Sequence, residues 1–121
     1  MDPTAQKTDE WLAAKTTPPA VNISGIWDGG ESFAGGWGEG RFNQVGRDVT
    51  GTLGLYDVKG VVSGKEVYLL LITGGRYRYT AKLTHQKDGG FQGMAREGAL
   101  VDNPEVRNAV EYPIVLKRMR K

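Results

Sequence analysis

Four segments of this chain repeat one pattern, apolar-x-Gly-x-apolar. They are Ile23-Ser24-Gly25-Ile26-Trp27, Val49-Thr50-Gly51-Thr52-Leu53, Val58-Lys59-Gly60-Val61-Val62 and Phe91-Gln92-Gly93-Met94-Ala95. Side chains alternate across an extended strand, so each glycine shares a face with its apolar partners. Glycine inside a strand weakens it, and four at matching positions need a physical reason. A sheet that curls tightly supplies one. Its strands must bend sharply and its inner face has little room, and an inward glycine answers both demands. The pattern therefore points to a small closed β-barrel.

The spacing of the remaining residues fills in that barrel. Period-two alternation predicts strands over 21–28, 37–45, 48–56, 58–63, 66–72, 76–84, 91–96 and 110–117. Between them stand tight-turn signals: Gly46-Arg47, Gly64-Lys65, Thr73-Gly74-Gly75 and Asp88-Gly89-Gly90. In the third strand Val49, Gly51, Leu53 and Leu55 are expected to point inward; the last alternates Val110, Tyr112, Ile114 and Leu116. Eighteen glycines, and no long helical period through the middle, fit many short strands. The expected fold is all-β: an eight-stranded antiparallel up-and-down barrel over residues 21–121. Residues 1–20 form a short N-terminal helix and a Pro-rich linker. Thr8 is its expected N-cap, Asp9 and Glu10 fill the first turn, and Pro18-Pro19 stops the helix.

Two segments depart from a simple barrel. Pro113 lacks a donor for the ladder and implies a bulge or an incompletely paired seam. The fifth strand is apolar on both faces: Val67, Leu69 and Leu71 on one, Tyr68, Leu70 and Ile72 on the other. Its outer face needs a cover, either the N-terminal helix through Trp11 and Leu12 or a second copy of the chain.

Several function classes lose ground at once. The chain has no cysteine, which excludes disulfides, thiolate chemistry and Cys-ligated metal centres. The net charge of +2 belongs to the tail, where Lys117, Arg118, Arg120 and Lys121 outweigh a nearly neutral body. A nucleic-acid binder carries its basic face on the body, so that partner is disfavoured. The apolar run Val67–Ile72 is far too short to span a bilayer as a helix. The first residues show no signal-peptide pattern, and removal of one from a longer precursor stays open.

Chemistry-bearing residues are sparse. His85 is the single histidine, expected in a turn after the sixth strand, with no partner set for a metal or a catalytic triad. Glu31 and Glu39 flank a glycine-rich stretch and are a carboxylate pair able to face each other across a barrel mouth as acid and base. Those glycines lack the lysine and the following helix of a phosphate loop. Arg76-Tyr77-Arg78-Tyr79 places two arginines on one face and two tyrosines on the other. Because Ala81 and Leu83 share the tyrosine face, both tyrosines are expected inside.

The tripeptide Gly25-Ile26-Trp27 and the run Phe42-x-Gln44-x-Gly46-x-x-Val49-x-Gly51-x-Leu53 form a longer signature. Gly60-Val61-Val62-Ser63-Gly64, Gly93 and a closing Tyr112-Pro113-Ile114-Val115-Leu116-Lys117 complete it. Residues 21–118 thus resemble the calycin barrels: lipocalins, fatty-acid-binding proteins and avidins. Within that group they look most like small bacterial lipocalin-like or lipoprotein-type domains, whose roles are mostly uncharacterised. The resemblance implies a non-enzymatic barrel, possible binding of a small hydrophobic ligand, no cofactor, and a periplasmic or envelope setting in preference to a cytoplasmic one. It also implies a structural lock in which Arg118 covers Trp27. The Thr-Asp-Tyr signature of lipocalins, the arginine–tyrosine clamp of fatty-acid-binding proteins and the biotin-contacting set of avidins are absent. The resemblance thus implies a fold and no particular ligand. The candidate barrel lining is Trp27, Phe42, Leu53, Leu69, Tyr77, Tyr79, Phe91 and Tyr112. An alternative role is a protein-interaction module, or a homo-oligomer, built on Tyr68, Leu70 and Ile72.

Overall fold

A computed structural model describes residues 3–30, 36–97, 100–101 and 110–119, with side chains from Lys7 onward. Eight strands follow one short helix: α1 (Pro3–Ala13), β1 (Gly25–Asp28), β2 (Glu39–Val45), β3 (Asp48–Leu53), β4 (Tyr56–Ser63), β5 (Glu66–Thr73), β6 (Arg76–His85), β7 (Phe91–Glu97) and β8 (Glu111–Arg118). Each strand pairs antiparallel with the next, and β8 returns to β1, so the sheet closes into the expected up-and-down barrel.

The repeated glycines lie on the inner face. Gly25 stands opposite Phe42, Gly51 between Phe42 and Val58, Gly60 between Val49 and Leu69, and Gly93 between Leu83 and Ile114. A Cβ at Gly51 would run into the Arg41 carbonyl, one at Gly60 into the Tyr68 carbonyl, and one at Gly93 into the Lys82 carbonyl. Neighbouring strands therefore approach closely at these three points, which is how so small a barrel curls shut.

Inside, Ile23, Trp27, Phe42, Val49, Leu53, Val58, Val62, Val67, Leu69, Leu71, Ala81, Leu83, Phe91, Ala95, Ile114 and Leu116 form a single packed cluster. Burial of such side chains stabilises by about 1.5–3 kcal/mol each relative to exposure. A second cluster lies outside the barrel. Trp11 and Leu12 of α1 pack on Val61, Tyr68 and Leu70, flanked by Ile72, Tyr77, Leu100 and Val101. Trp11 meets Tyr68 edge-on at 5.4 Å between centroids. The helix is the cover that the doubly apolar strand requires. Beneath it Leu70 is fully buried, Tyr68 nearly so and Ile72 partly.

Polar contacts hold the helix in place. Arg47 donates to the Leu12 carbonyl at the helix C-terminus (2.8 Å), and Lys59 meets Asp9 at 3.2 Å. The linker is tied to the β4–β5 turn: Thr17 N–H donates to Ser63 Oγ, Gly64 N–H to the Pro18 carbonyl, and Ala20 N–H to the Gly64 carbonyl.

The structure corrects four expectations. First, α1 starts at Pro3, so Thr8 is an interior helical residue buried against the barrel and not a cap. Proline suits the start of a helix because its missing donor has no intrahelical role there. Second, β1 is shorter than expected. Residues 21–24 cross the barrel end, their backbone held by side chains: Ile23 N–H donates to Gln44 Oε1 and Ser24 N–H to Asn22 Oδ1. Third, Gly54 and Leu55 form a turn between β3 and β4, with Gly54 at φ +59°, and Leu55 is exposed and not inward.

The fourth correction is Tyr77. In the β5–β6 ladder Leu71 faces Tyr79 and Ile72 faces Tyr77, so β6 carries one extra residue, Arg78, at a bulge. One inserted residue reverses the faces beyond it. Tyr79 points inward as expected. Tyr77 lies outside with the helix, its hydroxyl 3.4 Å from Asp9 Oδ1.

Candidate functional site

The two ends of the barrel differ. At one end Trp27 is fully buried, with its indole N–H donating to the Ile23 carbonyl (2.7 Å) and its ring 5.3 Å from that of Phe91. Arg118 lies over this ring, its guanidinium carbon 4.3 Å from the centroid, and donates to the Ser24 carbonyl. Gly25 makes room for it, since a Cβ there would stand 2.9 Å from the guanidinium. The Trp27–Arg118 lock thus has the geometry that the resemblance implies, and it plugs this end. His85 sits nearby as the last residue of β6, half-buried with its ring 5.2 Å from Phe91, and not in a turn as expected.

Among the described residues the opposite end is open. The β1–β8 ladder contains only the pairs Trp27–Arg118 and Asp28–Lys117, so the seam parts above Asp28. This is the incomplete pairing that Pro113 implies. The β1–β2 hairpin continues past its strands through Trp37 N–H to the Gly29 carbonyl and Gly38 N–H to the Gly30 carbonyl. Trp37 leans from this extension across the seam, where its indole N–H donates to the Pro113 carbonyl (3.0 Å).

Around Trp37 stand three tyrosines, each delivered by a different strand. Tyr79 lies 5.1 Å from Trp37 and perpendicular to it, Tyr56 at 6.0 Å and Tyr112 at 6.3 Å. Tyr79 also meets Tyr56 and Tyr112 at nearly right angles, at 5.6 and 5.9 Å. Perpendicular contacts set the positive ring edge against a negative face, so the group is mutually supporting. With Gly36, Gly38, Gly54 and Leu55 these rings line a cleft of about 350 Å³ at the barrel mouth. Gly54 is required here: a side chain would strike the Trp37 carbonyl. The Tyr79 phenol is pushed up to about 12, first by burial, then by the nearby Tyr56 and Glu97, with a hydrogen bond to Tyr56 adding to the effect. Glu97 stands opposite Tyr79 in the β6–β7 ladder and so shares its inward-facing row.

The structure divides the sequence-predicted lining into three groups. Trp27, Phe42, Leu53, Leu69 and Phe91 belong to the packed core. Tyr79 and Tyr112 stand at the mouth, and Tyr77 lies outside. Trp37 and Tyr56 complete the mouth and were not among the residues singled out. The available signal was a tryptophan between Gly36 and Gly38, a large apolar side chain in a stretch otherwise built for turns. Of the carboxylate pair, Glu31 falls outside the described residues, and Glu39 is exposed and paired with Arg41 at 2.7 Å. Among the described residues no group of three acidic or histidine side chains is placed to hold a metal ion. No helix among them is long and apolar enough to cross a membrane. Comparison with protein-family models, curated proteins and solved structures finds no match for this chain.

Proposed function

We propose that the protein is a calycin-like binding barrel without enzymatic activity, and that it takes a small hydrophobic ligand at its mouth. One observation carries the reading: buried side chains pack on one another in the interior, whereas four aromatic rings line a cleft at one end. A ligand pocket of a few hundred cubic ångströms, mostly apolar with a few convergent polar groups, is the usual form of a small-molecule site. The Tyr56, Tyr79 and Tyr112 hydroxyls and the glycine backbone supply the polar groups. This places the ligand outside the core, against the expectation of an inner lining formed by Trp27, Phe42, Leu53, Leu69 and Phe91.

Titration with indole, benzyl alcohol and octanol, followed by heteronuclear NMR, tests the proposal. Binding is expected to move the resonances of Trp37, Tyr56, Tyr79 and Tyr112 and to leave Leu69 and Leu83 unmoved. Trp37→Ala should weaken it by about 5-fold to 150-fold, because stacking on an aromatic ring is worth roughly 1–3 kcal/mol. Shifts confined to the core, or no response to any of the three probes, would overturn the proposal.

A further inference from the structure

The lining of the mouth also bears on what chemistry it selects. Its walls are Trp37, Tyr56, Tyr79 and Tyr112, its remaining surface is Gly36, Gly38, Gly54 and Leu55, and no lysine or arginine is among them. Aromatic faces carry negative potential, so rings converging on one cleft favour a positive centre over a neutral group of the same shape. One carboxylate reinforces the field. Glu97 is the register partner of Tyr79, on the row that continues Ala95 and Ala81 toward the mouth. Its carboxylate is exposed at the rim, free of the core.

The described basic residues near this end are directed elsewhere. Arg78 occupies the bulge and donates to Thr73 Oγ1 at 3.0 Å, and Arg76 is exposed on the β5–β6 hairpin beyond it. Arg41 is engaged with Glu39 on the outer face of β2, and Arg96 is buried on the outer face of β7 against Glu111 and the Leu100 carbonyl. The Lys117 side chain borders the separate groove outside Trp37. Among the described residues, four π-systems thus line the cleft, one acid stands in register beside Tyr79, and no base joins them.

Resting on the mouth being the ligand site, we propose that it is an aromatic cage for an organic cation, an alkylammonium or quaternary ammonium group. Trp37 and Tyr79 supply the floor on which the cation sits. Tyr56 and Tyr112 stand at its sides, and Glu97 supplies longer-range attraction from the rim. The cation's alkyl groups gain the same apolar contact that a neutral ligand gains, and the charge adds to it. At partly desolvated sites the added attraction makes a cation bind about tenfold tighter than its neutral isostere.

Choline and 3,3-dimethyl-1-butanol differ at the centre that matters, a quaternary nitrogen against a quaternary carbon. Titrating both into the 121-residue chain by NMR tests the proposal, with Glu97→Gln as a second arm. Glu97 is exposed, so this variant folds as the parent does. Choline is expected to bind about tenfold tighter than the alcohol. Glu97→Gln should weaken choline severalfold and leave the alcohol unchanged. Equal affinity for the two, or tighter binding of the alcohol, overturns the cation assignment while leaving the mouth as the binding site. Binding of neither compound, together with silence from indole, benzyl alcohol and octanol, overturns both readings.

Discussion

Replacing Gly93 with alanine isolates the strand-to-strand approach that closes the barrel. The backbone at Gly93 is not among the positive-φ glycines, so alanine incurs no conformational strain there. The added methyl would instead fall on the Lys82 carbonyl oxygen, well inside van der Waals contact, and 2.9 Å from Leu83 Cα. These are backbone atoms, which cannot rotate away as a side chain does. Relief requires β6 and β7 to part by roughly an ångström at a ladder whose normal spacing is about 4.8 Å. Overpacking of this kind costs about 1–3 kcal/mol, and a weakened ladder hydrogen bond adds about 1 kcal/mol.

The expected loss is therefore about 3 kcal/mol, a large share of the 5–15 kcal/mol typical of a domain this size. Gly46→Ala is the matched control. Gly46 has φ +60° and nothing within 4 Å of a built Cβ, so its cost is purely conformational, about 1–2 kcal/mol. Urea unfolding followed by far-ultraviolet circular dichroism and by tryptophan fluorescence gives both values. If Gly93→Ala costs no more than Gly46→Ala, close backbone approach is not what the inward glycines provide, and the account of closure given above is wrong.

Two further outcomes follow from the outer face and from the mouth. Trp11→Ala should remove the anchor of α1 and lower stability by about 2–3 kcal/mol, less than a core tryptophan because the helix can lift away instead of leaving a void. It should also raise binding of a hydrophobic dye as Tyr68, Leu70 and Ile72 become accessible; unchanged stability and dye binding would mean that the helix contributes no docking energy. The raised Tyr79 phenol makes an alkaline prediction: the folded state keeps this proton above the pH where the unfolded tyrosine, at 10.0, gives it up. Its contribution is therefore complete below pH 10 and declines as pH rises toward about 12. Tyr79→Phe should flatten that part of the pH–stability curve and remove one high-pH phenolate step from the near-ultraviolet absorbance titration.

Much of the barrel was legible because its physics is local. Alternation sets which face a residue occupies, and turn glycines mark where the chain reverses. The glycine in apolar-x-Gly-x-apolar reports curvature directly. Strand-five residues that are apolar on both faces announce a cover, and Trp11 and Leu12 are the apolar pair close enough in sequence to provide it. The Trp27–Arg118 pair was expected for a different reason, through resemblance, and Gly25 beside it holds a backbone at φ +128° that L side chains rarely adopt, with the Arg118 guanidinium close by.

The mouth was less legible because it depends on events that leave no periodic trace. The Gly54-Leu55 turn looks like uninterrupted alternation, so Leu55 read as core and Tyr56 as the end of β3, when Tyr56 opens β4 at the rim. The bulge at Arg78 is subtler. Reading Tyr77 and Tyr79 as equivalent assumes an unbroken period of two, and Ala81 and Leu83 appear to support it. That support holds only on the C-terminal side of the bulge, where Tyr79 sits. On the other side the extra residue sends Tyr77 to the helix and leaves Tyr79 alone on the inner face, between Tyr56 and Tyr112. A single inserted residue thus gives two neighbouring tyrosines different tasks, one securing the outer cover and one building the site.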